Sequence, residues 1–216
     1  MPSSSSWLGT YYAKFRDNLI IRSTRTATPP LNSSVRHHHV AESAFIVRVP
    51  EAEAHVGDLR ERFDPSFQSG VPAHITILVP FMSPERLTDA VLQRAHRALS
   101  DVASFSFSLA EVRRFPGTAY LAPEPAEPFI ALTESLVRAF PQYPPFGGEF
   151  DSVVPHLTVA HGDATRAKAA ERELSNIMRV RGPVASTCTE VALIENSTGM
   201  WRAMHHFALP AGRDRA

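Results

Sequence analysis

The chain has 216 residues, 44% of them hydrophobic, with 22 Lys and Arg balanced by 22 Asp and Glu. That suffices for one sizeable core or two small lobes sharing one, and no run approaches the roughly 18 consecutive apolar residues of a membrane span. Lys14, Arg16, Arg22, Arg25 and Arg36 face only Asp17 within residues 1 to 41, so the rest of the chain lacks the basic field that holds duplex DNA by counterion release.

Residues 1 to 41 are rich in Ser, Thr, Arg and Pro and show no sustained period, which predicts a flexible extension. Within it, Trp7, Tyr11, Tyr12 and Phe15 have the spacing of a short amphipathic helix. His37-His38-His39 has no Cys, Asp or Glu at ligand spacing beside it, so a solvated stretch is expected there in place of a metal site. The single cysteine, Cys188, excludes an internal disulfide and a cysteine zinc cluster. With no apolar block of a secretory signal at the N-terminus, the expected location is the cytoplasm.

From residue 42 to 210 the pattern becomes regular. Ala44 to Val49 reads as a strand, and Val56, Leu59 and Phe63 recur at helical spacing. His74 to Phe81 reads as the next strand. Ser83-Pro84-Glu85 supplies a cap, a first-turn proline and an acidic first turn for a helix whose face is Leu87, Val91, Ala95, Ala98 and Val102. Ser104 to Val112 alternates as a strand. After Phe115-Pro116-Gly117 the order restarts with a strand at Ala119 to Ala122, a helix marked by Phe129, Leu132, Leu136 and Phe140, and a loop from Pro141 to Val154. A second motif strand follows. Asp163 can cap a helix with Ala167, Ala170, Leu174 and Ile177 on one face, and Val184 to Ile194 and Met200 to Leu209 close the chain as strands. The unit strand, helix, motif strand, helix, strand thus occurs twice, which predicts an α+β fold. It would have two lobes, about 43 to 115 and 116 to 210, with antiparallel sheets around a central cleft.

The motif is His74-Ile75-Thr76, written again as His156-Leu157-Thr158, each copy just after a proline and opening an apolar run. Residues two apart on a strand share a face. In each copy the histidine and threonine therefore look out together, while Ile75, Ile77 and Val79, or Leu157 and Val159, face a core. Two imidazoles brought to one cleft can take and give a proton on opposite sides of a phosphodiester. The competing reading is structural: strand histidines bonded in the core, and threonines chosen for β propensity.

Val71-Pro72-Ala73, Arg114-Phe115-Pro116-Gly117 and Pro144-Pro145-Phe146-Gly147-Gly148 flank the two motifs. With them, residues 43 to 209 resemble the two-histidine (2H) phosphoesterase superfamily and, within it, the 2′,5′ RNA ligase-like proteins. The resemblance implies a bilobal α+β fold with a central cleft and no metal or other cofactor. It also implies phosphodiester substrates with a 2′-linkage, namely 2′,3′-cyclic phosphates or 2′,5′-linked nucleotides and RNA ends. His74 and His156 become the candidate acid and base, and Thr76 and Thr158 the donors to the non-bridging oxygens.

Tyr143, Phe146 and Phe150 are candidate stacking platforms for a nucleoside, with a hydrophobic loop plug as the alternative. Arg114, or Arg113 beside it, is a candidate phosphate contact, with a solvated strand-end charge as its alternative. The expected partner is a nucleotide or RNA terminus, with no duplex DNA and no membrane, bound by a monomer. Two rival functions remain: a catalytically silent binding module with the same cleft, and a metal hydrolase, for which one histidine per strand is a poor ligand set.

Overall fold

The computed structural model describes residues 41–149 and 152–212. The N-terminal aromatic cluster, the triple histidine and Phe150 lie outside the described residues. Eight strands alternate with helices: β1 (Ser43–Arg48), α1 (Glu53–Phe63), the single turn α2 (Pro65–Gln68), β2 (His74–Leu78), α3 (Asp89–Leu99), β3 (Phe105–Phe115) and β4 (Thr118–Glu124). Then come α4 (Glu127–Ala139), β5 (Leu157–His161), α5 (Ala164–Arg181), β6 (Val184–Cys188), β7 (Glu190–Glu195) and β8 (Arg202–Ala208).

The α+β class and antiparallel pairing are as expected, but the strands join in one sheet of eight, ordered β6-β3-β4-β5-β2-β1-β7-β8. β6 and β7 stand first and seventh, roughly 28 Å apart if the sheet were flat. Thr189 alone separates them in sequence, which limits Cys188 and Glu190 to about 7.6 Å between Cα atoms. The sheet must therefore curl. Its ends are tied by Leu209 N–H to the Thr189 carbonyl at 2.8 Å and Ser104 N–H to the Pro210 carbonyl at 2.7 Å.

Helices cover the outer face. α1 and α5 pack on each other and on β5, α5 also lies on β3 and β4, and α4 lies on β2 with α3 against it. Phe129 of α4 shows how this side is filled, its ring meeting Phe105 at 4.9 Å and Phe107 at 5.0 Å edge to face. A smaller apolar cluster of Ala44, Ile46, Val71, Ala192 and Ile194, with Trp201 and Val79 against it, is separate from the main core.

Boundaries differ from the sequence expectation in several places, the first motif strand among them, which ends at Leu78 and not at Phe81. The stretch from Val184 to Ile194 is two strands, because the chain crosses at Thr189 from one end of the sheet to the other half. The helix after Phe81 begins only at Asp89, since Leu87 leaves helical geometry and Thr88 takes over as cap, its Oγ1 accepting from Val91 N–H. β3 runs on to Phe115 and turns through Pro116-Gly117 into β4, so both strands of this hairpin lie in the same half of the sheet. The half built on β5 is β6-β3-β4-β5, and the half built on β2 recruits β7 and β8 from the end of the chain. Gly117 is fixed by contact, since a Cβ there would lie 2.5 Å from the Gly162 carbonyl oxygen. Asp163 caps α5 as its position predicts, with Oδ1 accepting from the N–H groups of Thr165 and Arg166 at 2.9 Å each.

Candidate active site

The two halves of the sheet meet where β2 and β5 pair, antiparallel, at Ile75 opposite Leu157. Both side chains are fully buried in the main core. In an antiparallel pair the positions on either side of that rung are 74 opposite 158 and 76 opposite 156. Each histidine therefore has the other motif's threonine as its cross-strand neighbour, and the two histidines lie diagonally across the joint at about 7–8 Å. All four side chains are half-buried on the face opposite the helices. The doubled tripeptide is thus one cluster with approximate twofold symmetry.

The imidazoles are held alike. His74 Nδ1 lies 2.8 Å from the Pro72 carbonyl oxygen, and His156 Nδ1 lies 2.7 Å from that of Val154. A carbonyl only accepts, so each Nδ1 is the N–H donor and each neutral ring carries its lone pair on Nε2. Both rings share the state that a general base needs. Removal from water lowers the pKa of each, since burial penalises the charged form. His74 is pushed down to about 4, with the Arg60 guanidinium and His156 adding to the effect of burial, while the Pro72 hydrogen bond and Asp64 oppose it. No cation contributes to the lowering of His156.

Pairing along the sheet names the neighbours. Arg48 is opposite His74 and Ile46 opposite Thr76 on one side; Tyr120 is opposite Thr158 on the other, with Arg113 opposite Tyr120. Phe115 stacks on Tyr120 at 4.4 Å, and both rings approach His156, at 5.5 Å and 5.1 Å. His156 thus stands against an aromatic wall, while the cation that acts on His74 is the Arg60 guanidinium.

The candidate binding residues separate. Arg114 is corrected: it faces the helices, where its Nε meets Glu171 of α5 at 3.0 Å, and Arg113 takes the inner face in its place. Tyr143 packs edge-on against Phe81 at 5.0 Å beside the main core, which is the plug role. Phe146 is half-buried in the same loop, its N–H bonded to the Val79 carbonyl at 2.6 Å and its φ at 53°. His161 bonds Thr118 through Nδ1 at 3.0 Å, and His206 bonds Glu190 through Nδ1 at 2.8 Å. Among the described residues no three His, Cys, Asp or Glu side chains assemble as metal ligands do. No described helix is long and apolar enough to cross a membrane.

Sequence reasoning missed Arg60, fully buried in α1 behind His74, and the Phe115–Tyr120 wall. The signal for Arg60 was available: a charge between Leu59 and Phe63 on the helix's apolar face, with Asp64 four residues on.

A family model described as the 2′-5′ RNA ligase superfamily matches residues 49–199. No curated protein matches. Among solved structures, the Thermus thermophilus protein TT0787 is 20% identical with a TM-score of 0.53, over 80% of this chain and 100% of that one. That likeness bears on the fold. Escherichia coli LigT, crystallised with 3′-AMP, is 16% identical with a TM-score of 0.48, over 80% of this chain and 99% of its own.

Proposed function

Because this chain belongs to the 2′-5′ RNA ligase superfamily, we propose that it is a metal-independent phosphodiesterase that hydrolyses 2′,3′-cyclic phosphates or 2′,5′-linked nucleotide and RNA ends. The observation that carries this reading is the matched pair of Nδ1 bonds, which turns two Nε2 atoms out on either side of the β2–β5 joint. His74, kept neutral by burial and Arg60, takes the proton of water through Nε2 as the water oxygen bonds to phosphorus. The bond from phosphorus to the ribose 3′ oxygen breaks, and that oxygen takes a proton from Nε2 of protonated His156, leaving a 2′-phosphate. Thr76 and Thr158 donate to the non-bridging oxygens as their charge grows. Proton exchange with water then resets both rings.

Arg113, on the inner face, is the phosphate contact of this reading, and Arg114 is not. Arg113→Ala is expected to raise KM for a cyclic nucleotide about tenfold, while Arg114→Ala leaves KM unchanged and loses only an exposed ion pair. Steady-state kinetics on the two variants check this. A reducing, cytoplasmic setting agrees with Cys188, the one cysteine, whose buried thiol is pushed up to about 12.

The direct test is turnover of a panel of 2′,3′-cyclic nucleotides, 2′,5′-linked dinucleotides and cyclic-phosphate RNA ends, with and without a chelator. Hydrolysis to 2′-phosphates, undiminished by the chelator, supports the proposal. Activity abolished by the chelator and restored by metal would replace it with a metal hydrolase, and tight binding without turnover with a binding module.

A further inference from the structure

Behind His74 lies a buried polar cluster that the chemistry above leaves without a task. The Arg60 guanidinium, wholly inside the protein, donates from Nε to Asp64 Oδ2 at 3.0 Å and from Nη2 to the Val71 carbonyl at 2.9 Å and Ser66 Oγ at 3.3 Å. Its Nη1 lies 3.9 Å from Glu53 Oε1 and has no hydrogen-bond partner among the described residues. Glu53 Oε1 in turn accepts the Ala73 N–H at 2.6 Å. Two side chains about two helical turns apart on α1 therefore grip the backbone on both sides of Pro72. The carbonyl of Pro72, held between them, is the one that fixes His74 Nδ1.

Stability is a weak reason for such an arrangement. A buried guanidinium with one nitrogen unpartnered costs desolvation that an apolar side chain of similar size would avoid. The second motif offers a contrast, because Val154, whose carbonyl holds His156, is exposed at the end of the loop before β5. The asymmetry falls on the one histidine whose ring the mechanism needs as proton acceptor.

We propose that Arg60 and Glu53 are positioning residues that lock the Pro72 carbonyl, so that His74 keeps its proton on Nδ1 and presents Nε2 to the cleft as the general base. The assignment rests on the two-histidine reading above. The groups facing His74 are Arg60 and Asp64 from the α1 side, with Glu53 behind them, Arg48 across the strand pair on β1, and His156 across the joint. Arg60 supplies a positive charge on top of the geometry, in keeping with the lowered pKa of His74.

The test uses the full chain with 15N-labelled histidine. NMR of the ring nitrogens should show wild-type His74 as a single Nδ1–H tautomer when neutral. Glu53→Ala should mix the tautomers and lower kcat on a 2′,3′-cyclic nucleotide by about tenfold to a hundredfold, the scale of a small misplacement of a reacting group, with KM changed less than about twofold. Glu53→Gln keeps an oxygen for the Ala73 N–H and should recover most of both. Arg60→Lys retains the charge but cannot span Asp64 and Val71, and should behave like Glu53→Ala. Should Arg60→Lys fail to fold, the Glu53 pair decides alone, since that side chain is 40% exposed. A single Nδ1–H tautomer in folded Glu53→Ala, or Glu53→Gln as impaired as Glu53→Ala, overturns the proposal. If no form of the protein turns over any cyclic phosphodiester, the hydrolase reading fails by itself, and the tautomer spectra still judge the clamp.

Discussion

His74→Ala and His156→Ala are each expected to lower turnover of a 2′,3′-cyclic nucleotide by about 10²- to 10⁴-fold, the usual contribution of a positioned acid or base. The fold should survive both. Each ring is half-buried on the inner face and makes one hydrogen bond to a backbone carbonyl, worth about 1 kcal/mol, and His156 also meets the rings of Phe115 and Tyr120; circular dichroism should stay as wild type and Tm near it, with the larger decrease in His156→Ala. The sharper version changes the leaving group. In a cyclic phosphorothiolate with sulfur at the departing position, the thiolate leaves without a proton, so the acid becomes dispensable while the base does not. His156→Ala should then regain most of its lost rate, and His74→Ala should regain none. Recovery in His74→Ala instead would reverse the roles, and near wild-type activity of either variant on the oxygen substrate would remove the two-imidazole mechanism. Thr76→Val and Thr158→Val should lose less, since each removes one donor and leaves proton transfer intact.

Local chemistry was legible in the sequence to the extent that it depends on period two. Alternation alone places His74 with Thr76 and His156 with Thr158 on one face, and Ile75 and Leu157 on the other, and the structure has them so. Asp163 as a cap is equally local. Strand partnership is not, because nothing in Ser43–Arg48 or Glu190–Glu195 marks them as neighbours 140 or more residues apart; their pairing is settled by how the sheet curls. Arg114 shows how one non-local detail misleads. Phe107 and Leu109 are buried in the main core, and regular alternation from them would turn 113 inward with the core and 114 outward to the cleft. A bulge between Leu109 and Glu111 adds one residue and inverts the phase. Beyond it Val112 and Arg114 face the helices, and Glu111, Arg113 and Phe115 line the cleft side. Arg60 was hidden for a different reason: a search for apolar periodicity passes over a charged residue that the fold buries with partners of its own.

The pH dependence of kcat/KM should be a bell centred below 6.5, and that of kcat a bell displaced to higher pH. The first describes the free enzyme. There His74 must be neutral and His156 protonated, and both lie below the ordinary value, His74 at about 4. Activity therefore rises as pH passes upward through the lower of the two apparent values. It falls about tenfold per unit once His156 has given up its proton, a loss that begins below 6.5. The two values belong to the pair, since His74 feels the charge of His156 across the joint. Binding then alters the balance. A phosphodiester remains an anion over this whole range, and a negative charge between the rings favours imidazolium, so both limbs of kcat shift upward. Paired profiles from pH 4 to 9 check the sign as well as the shape. A kcat/KM optimum above 6.5 would mean that burial does not depress these histidines in the free protein. Identical optima for the two parameters would mean that the substrate's charge does not lie between the rings, which would leave the cleft without the electrostatic reason for pairing them around it.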